Sequence, residues 1–160
     1  MTATYTPIAT TTLGSTQSSY TFSSIPGTYT DLVLIGNGSI SAAQNICVEF
    51  NGDSGNNYSF TRIYGDGSSA FSDNATNTAF SYLGIWGTTQ STLVASIQNY
   101  ANTTTFKTSL GRASWAADYV SAYVSTWRNT AAITSVKVLP AGANTLSSGT
   151  TLTLYGIEAA

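Results

Sequence analysis

The sequence feature that most limits the fold is a series of short segments in which apolar and polar residues alternate. Alternation with a period of two buries one face of a β-strand and leaves the other in water. Between these segments lie clusters of Gly, Asn, Asp and Ser, which is typical of a sandwich or a barrel. Eleven segments fit the pattern, at residues 5–13, 19–23, 31–36, 45–51, 58–64, 80–86, 92–100, 105–112, 119–127, 133–139 and 150–157.

These segments predict an all-β chain with a jelly-roll-like antiparallel β-sandwich fold. Residues 1–160 are expected to form a single β-sandwich domain, with residues 1–12 as an N-terminal arm or an edge strand. Because a minimal jelly roll has eight strands, we expect some of the eleven segments to be edge additions or loops. The composition agrees with a folded chain, since 42% of the residues are hydrophobic and 12% are aromatic, whereas only 8% are charged.

Several local patterns have two interpretations. Trp115, Tyr119, Tyr123 and Trp127 recur every four residues, which also suits a helix, but the surrounding Tyr, Val, Ser and Thr favour a strand. Cys47 lies in an alternating apolar run, so we predict a buried thiol. The triplets at 36–38 and 65–67, each Gly-Xaa-Gly, are interpreted as turns, because neither precedes the residues of a phosphate-binding loop.

Three polar stretches, at 51–57, 65–79 and 140–149, are predicted to be loops. Residues 51–56 resemble the start of a calcium loop, but Arg62 occupies the place of the bidentate Glu, so a hairpin turn is favoured. A cation site of another kind within 65–79 is left open as an alternative. Phe71, in the middle of that stretch, is the best candidate for an exposed apolar contact with a protein partner.

The composition also excludes several kinds of chemistry. The chain has no His and one Cys, so it has no Ser-His-Asp triad, Cys-His dyad, His-ligated zinc or intrachain disulfide. Five basic residues make no footprint for nucleic acid, and no apolar run is long enough to cross a membrane. A carboxylate pair such as Glu49 with Asp118 stays open as a glycosidase alternative. We predict no enzyme activity and no catalytic, cofactor-binding or metal-binding residues.

Four segments together resemble the small virion proteins of tailed bacteriophages, which recur as capsid decoration (cement) proteins and as head- or tail-fibre modules. They cover about a third of the chain and are 5–13 (YTPIATTTL), 21–34 (TFSSIPGTYTDLVL), 50–59 (FNGDSGNNYS) and 152–157 (LTLYGI). The resemblance implies a jelly-roll-like sandwich that forms a homotrimer on the outside of the phage particle. A protein in that place needs rigid strands and a large neutral contact surface, which agrees with the low charge.

From this resemblance we expect a capsid decoration protein that binds the major capsid protein on the virion exterior and stabilises the shell. The residues expected to bind a partner are Tyr5, Pro7, Ile8 and Phe71. The alternative is a fibre module that binds a host-surface glycan, with exposed aromatic rings as stacking platforms. Most aromatic residues of a sandwich belong to its core, so a core role is favoured for the other candidates, Tyr64, Tyr82, Trp86 and Trp115.

Overall fold

The computed structural model describes residues 4–116 and 119–158. Within them the chain forms twelve β-strands and no helix. The strands are Tyr5–Thr12 (β1), Tyr20–Phe22 (β2), Asp31–Gly38 (β3), Gln44–Phe50 (β4), Tyr58–Gly65 (β5), Ala70–Thr78 (β6), Ser81–Trp86 (β7), Ser91–Gln98 (β8), Lys107–Trp115 (β9), Tyr119–Trp127 (β10), Val136–Pro140 (β11) and Thr151–Ile157 (β12).

The strands form two antiparallel sheets that pack face to face. The large sheet has eight strands in the order β1-β12-β3-β8-β9-β10-β5-β6, and the small sheet has four in the order β2-β11-β4-β7. Alternate side chains of both sheets fill the space between them, and the largest of these, Trp86, Trp127, Tyr58 and Tyr100, are at most 1% exposed. The predicted all-β sandwich is therefore confirmed.

The order in which strands pair makes the fold jelly-roll-like. The first strand pairs with the last, β2 with β11, β3 with β8, β4 with β7 and β5 with β6, so each pair encloses the next along the chain. Successive pairs alternate between the large and the small sheet throughout this series. The hairpin of β9 and β10 is an addition, inserted in the large sheet between β8 and β5.

Each of the eleven predicted segments contains one strand, with limits that differ by three residues at most. All eleven are strands, and those beyond the nested pairs are the additions β9 and β10, so of the two expected outcomes, additions or loops, the structure has additions. The loop predicted at 65–79 is wrong, because residues 70–78 form β6 at the edge of the large sheet. Of the predicted loop, only residues 66–69 connect two strands, in the turn between β5 and β6. Gly67 lies in this turn with a positive φ of 82°, a backbone conformation that glycine adopts readily.

The turn predicted at 36–38 is wrong as well, because these residues continue β3. Gly36 is required there by packing rather than by a turn: a Cβ at this position would lie 2.9 Å from the Trp86 ring. A Cβ at Gly38 would lie 2.3 Å from the Thr150 hydroxyl oxygen. Glycine in a strand interior therefore marks two close contacts between elements.

Small residues bring β7 unusually close to β9 and β10. A Cβ on Gly111 would lie 2.0 Å from the carbonyl oxygen of Leu83, and one on Gly84 would meet the Ala113 methyl group at 2.2 Å. At this short separation serine hydroxyls satisfy the free edge of β7: the Ile85 amide donates to Ser121 Oγ (3.1 Å), and Ser125 Oγ donates to the Tyr82 carbonyl (2.7 Å). The edge of the small sheet is closed by these side chains.

Candidate functional site

The outer face of the large sheet, which points away from the small sheet, carries most of the exposed large apolar side chains of the described chain. Six of these are aliphatic, lie on five neighbouring strands and are 38–63% exposed: Ile35, Ile63, Val94, Leu110, Val120 and Val124. A charged or polar residue would be usual at such positions on a sheet that faces water. The outer face is therefore the most distinctive surface of the molecule.

The strand register places these side chains side by side. One row across the sheet runs Ile35, Val94, Arg112, Ala122 and Ile63, and the adjacent row includes Leu110 and Val124. Residues paired directly across antiparallel strands have their Cβ atoms about 4.5–5.5 Å apart. The aliphatic side chains thus form one continuous area rather than scattered positions.

The area of this apolar patch can be estimated from the strand spacing. Five strands at about 4.8 Å and three rows at about 6.8 Å give roughly 24 by 20 Å, or about 480 Å². The largest apolar patch on a typical monomer measures about 300–600 Å² and is often functional. The patch is therefore a candidate site of contact with another macromolecule.

Among the residues that the structure describes, Arg112 supplies the only charge in the middle of this patch. Its side chain is exposed, and no hydrogen-bond or ion-pair partner for it is found among residues 4–116 and 119–158. An open groove lies on each side of it, with a volume of about 740 Å³ next to β6 and about 560 Å³ next to β8. The lining of the larger groove is almost entirely apolar and includes Ile63, Ala70 and Val120.

A second feature, the aromatic row, lies on the opposite face of the large sheet near β6. Trp115, Tyr119, Tyr64 and Phe71 stack in sequence, with ring centroids 5.3, 6.2 and 5.0 Å apart and planes within 22° of parallel. Phe71 ends the row and is 42% exposed. A hollow of about 240 Å³ adjoins the row, lined in part by Gln44, Asn45 and Arg62.

Arg62 connects the aromatic row to the strand edge. Its Nε and Nη2 donate to both carboxylate oxygens of Asp73 on β6, at 2.5 and 2.7 Å, and Nη1 donates to the Tyr123 hydroxyl at 2.7 Å. The guanidinium also lies 4.6 Å from the centre of the Tyr64 ring. Hydrogen bonds from Arg62 hold the pKa of the Asp73 carboxyl below its ordinary value. Burial raises the pKa of Tyr123 to about 12, so its hydroxyl stays protonated.

The four residues predicted to bind a partner do not form one cluster. Tyr5 and Pro7 are exposed on β1, and the Tyr5 ring meets Tyr155 edge-on at 6.1 Å. Ile8 is half-buried and packs against the core, where a bulge in β1 turns it inward. Phe71 lies on β6 at the other edge of the same sheet, seven strand spacings or about 34 Å away.

The 51–57 stretch is a turn, but it links the two sheets instead of closing a hairpin. Asp53 organises it by accepting hydrogen bonds from the Gly55 amide (3.0 Å), Asn57 Nδ2 (3.0 Å) and Trp127 Nε1 (2.7 Å). Partial burial favours a higher pKa for this carboxyl, but the three donors outweigh it, so the pKa of Asp53 lies below its ordinary value. Both carboxylate oxygens are occupied by the protein itself.

Glu49 and Asp66 also have structural partners. Glu49 is buried and lies 3.2 Å from Lys137 Nζ, while Asp118, its suggested catalytic partner, is outside the described residues. Asp66 accepts hydrogen bonds from the amides of Ser68 and Ser69 in the turn before β6. The part of the chain that the structure describes holds no group of three acidic, Cys or His side chains able to bind a metal ion.

Cys47 is fully buried, which confirms its predicted burial. Of the aromatic candidates, Trp86 belongs to the core, whereas Tyr64 and Trp115 are half-buried in the aromatic row. Over the same described ranges, no helix is long and apolar enough to cross a membrane.

Sequence reasoning missed the outer face and Arg112. The sequence does carry a signal for the outer face. Val94, Val120 and Val124 occupy positions that the alternation of apolar and polar residues assigns to the solvated face of their strands. Apolar residues at such positions indicate a covered surface, but only the strand register reveals that they share one area.

No protein-family model matches the chain, and no curated protein sequence matches it. Among solved structures, galectin LEC-6 of Caenorhabditis elegans is similar over 90% of this chain and 94% of its own, with a TM-score of 0.41 and 8% sequence identity.

Proposed function

We propose that this chain is a structural protein of a tailed-phage virion, a decoration protein that binds the major capsid protein on the capsid exterior as a homotrimer. The observation that carries the proposal is the aliphatic outer face of the large sheet, which leaves apolar area exposed in the single chain. The resemblance of the four sequence segments to phage virion proteins supplies the biological setting.

A protein of this kind acts by binding and catalyses no reaction. A decoration protein that binds only the assembled shell lowers the free energy of that state and so opposes its disassembly. Binding to the shell requires a rigid scaffold and a contact surface with little net charge. The two packed sheets and the net charge of −2 meet these requirements. The exposed Tyr5 and Pro7 on β1 are the proposed contacts to the shell, with Phe71 as a further contact at the other edge.

The proposal is tested on particles of the phage that encodes the chain. Gradient-purified virions should contain the protein in many copies, and particles that lack it should release their DNA at a lower temperature. Adding the purified protein back should restore the wild-type release temperature. Virions without the protein, or a release temperature that does not depend on it, would contradict the proposal.

A second candidate function, a fibre module that binds a host-surface glycan, is favoured by the aromatic row. Tyr64, Trp115 and Tyr119 of the row line a hollow together with amide and guanidinium groups, and the exposed ring of Phe71 stacks on Tyr64 at the end of the row. Aromatic rings beside such polar groups offer a sugar both a stacking surface and hydrogen-bond partners. Binding of labelled host polysaccharide should then be saturable and should fall at least about tenfold in a Phe71→Ala variant. Phe106→Ala is the matched control, because Phe106 is also exposed but lies outside the row.

A further inference from the structure

We infer that the outer face of the large sheet binds the shell through Arg112, which pairs with a carboxylate of the capsid protein while two apolar side chains of that protein enter the grooves beside it. The inference rests on the proposed function, which supplies the capsid protein as the occupant. It deepens that proposal by naming the centre of the contact and the chemistry that the partner surface must carry.

The unpaired charge of Arg112 indicates the polarity of the occupant. The guanidinium is exposed among aliphatic side chains and has no hydrogen-bond or ion-pair partner in the described part of the chain. The other two arginines are bound within the protein, since Arg62 pairs with Asp73 and Arg128 donates to the Tyr58 carbonyl. A partner that covered Arg112 without a counter-charge would bury an unpaired cation, which is strongly disfavoured. The occupant therefore brings a carboxylate to this point.

The two grooves indicate which groups flank that carboxylate. Both are lined by Ile63, Ala122 and Arg112, which the strand register places in one row. The short Ala122 side chain leaves a low floor that the grooves share, with Val120 lining the larger groove and Val124 the smaller one. Side chains that fill such pockets contribute most of the binding energy of many protein interfaces. A surface that carries an acidic side chain between two apolar ones therefore fits this face.

The same face also carries a β1 residue that is proposed to contact the shell. One row of the register runs from Pro7 on β1 across the sheet to Leu110 and Val124 in the apolar patch. Four strand spacings, or about 19 Å, separate Pro7 from Leu110. A single protein surface can therefore cover β1 and the patch together.

Other occupants suit these observations less well. None of the described residues that line the two grooves carries a carboxylate, so the same face of a second copy would bring another guanidinium to Arg112 and no counter-charge. A small molecule is usually enclosed over most of its surface, whereas both grooves are open to solvent along the sheet. A protein surface with an acidic centre supplies both the counter-charge and the cover.

The test measures how tightly variants of the full chain bind to particles that lack the protein. Arg112→Gln removes the charge, and Thr21→Glu on the small sheet is its matched control, because it lowers the net charge by the same one unit at an exposed residue. Ala122→Leu raises the floor of both grooves, and Ala131→Leu is its matched control at an exposed residue outside them. Circular dichroism and thermal unfolding establish that each variant is folded, and sedimentation velocity gives its mass.

The wild-type chain and both control variants should bind the particles with equal dissociation constants. Arg112→Gln should weaken binding at least about 30-fold, because it leaves a carboxylate of the shell buried without a partner. Added salt should weaken the binding of the wild type more than that of Arg112→Gln, since only the wild type forms the ion pair. Ala122→Leu should weaken binding at least about tenfold, because the apolar side chains of the partner no longer enter the grooves.

The outcomes separate this inference from the proposed function. A folded Arg112→Gln or Ala122→Leu variant that binds the particles like the wild type would overturn the inference and leave decoration intact. A wild-type chain that does not bind the particles would contradict decoration, and the inference that rests on it would fall too. Loss of a wild-type oligomer in either variant would also overturn the inference, because a second copy would then be the occupant of the face.

Discussion

Asp53 illustrates how a single polar residue can hold a connection between two sheets. Replacing it with Ala removes the acceptor for three donors, including the indole of the buried Trp127. We expect Asp53→Ala to lower the free energy of unfolding by about 2 kcal/mol, measured by urea denaturation, because a buried donor is left without a partner. An unchanged midpoint would show that water replaces the carboxylate there without cost.

The same residue predicts a dependence of stability on pH. Because the pKa of Asp53 is lower in the folded chain than in the unfolded chain, the unfolded state takes up its proton first on acidification. The stabilisation is therefore complete above the ordinary pKa and is lost as the pH falls through the lowered one. Urea midpoints between about pH 5 and pH 2 should fall less steeply for Asp53→Asn than for the wild type. Parallel curves would assign the acid sensitivity to other carboxyls.

Gly111 tests the close approach of the sheets. A Cβ at this residue would lie 2.0 Å from the Leu83 carbonyl oxygen, and a backbone atom cannot move aside as a flexible side chain can. Gly111→Ala should therefore lower the free energy of unfolding by about 3 kcal/mol. Gly27→Ala is the control, because nothing lies within 4 Å of its added methyl group, and its midpoint should stay near that of the wild type.

For single residues, the sequence could predict those roles that depend on residues nearby in the chain. The turn around Asp53 and the burial of Cys47 follow from their own segments. The importance of Arg112 could not be predicted, because it arises from Val94, Ala122 and Ile63 on three other strands, and no local pattern encodes which strands become neighbours.

Among the elements, β6 depends most on side chains of its single neighbour. It pairs only with β5, and seven of its nine residues are exposed. Asp73→Asn should weaken the pairing to Arg62, so the amide protons of residues 71–77 should exchange faster. Because the ion pair is largely exposed, the global free energy of unfolding should change by less than about 1 kcal/mol. Unchanged exchange in β6 would assign its order to the backbone ladder alone.

The elements that sequence could predict are those that bury one face. Ser91–Gln98 and Tyr119–Trp127 carry the alternation of buried and exposed residues on which the prediction relies. β6 lacks it, because an edge strand beyond the small sheet has water on both faces, and its Ser, Asp and Asn residues are those of a loop. β6 is a strand because its backbone pairs with that of β5, and its own sequence carries no strand pattern.

For the molecule as a whole, the rate at which the Cys47 thiol reacts shows whether the chain unfolds as one cooperative unit. Cys47 lies in β4, an inner strand of the small sheet, and burial raises the pKa of its thiol, so the reactive thiolate is suppressed. A thiol reagent should label Cys47 only when the whole chain unfolds. The labelling rate should then rise with urea as steeply as the equilibrium constant for global unfolding does. Labelling that is insensitive to low urea would indicate local opening of β4 instead.

The nested pairing of strands has a consequence for how the protein is made. β1 leaves the ribosome before the other eleven strands, yet Tyr5 pairs with Ile157, so β1 has no partner strand until β12 has been synthesised. Contacts so distant along the chain slow folding, because the long intervening loop has to be ordered first. During synthesis the early strands are unprotected, and their low charge gives little defence against premature association with other nascent chains.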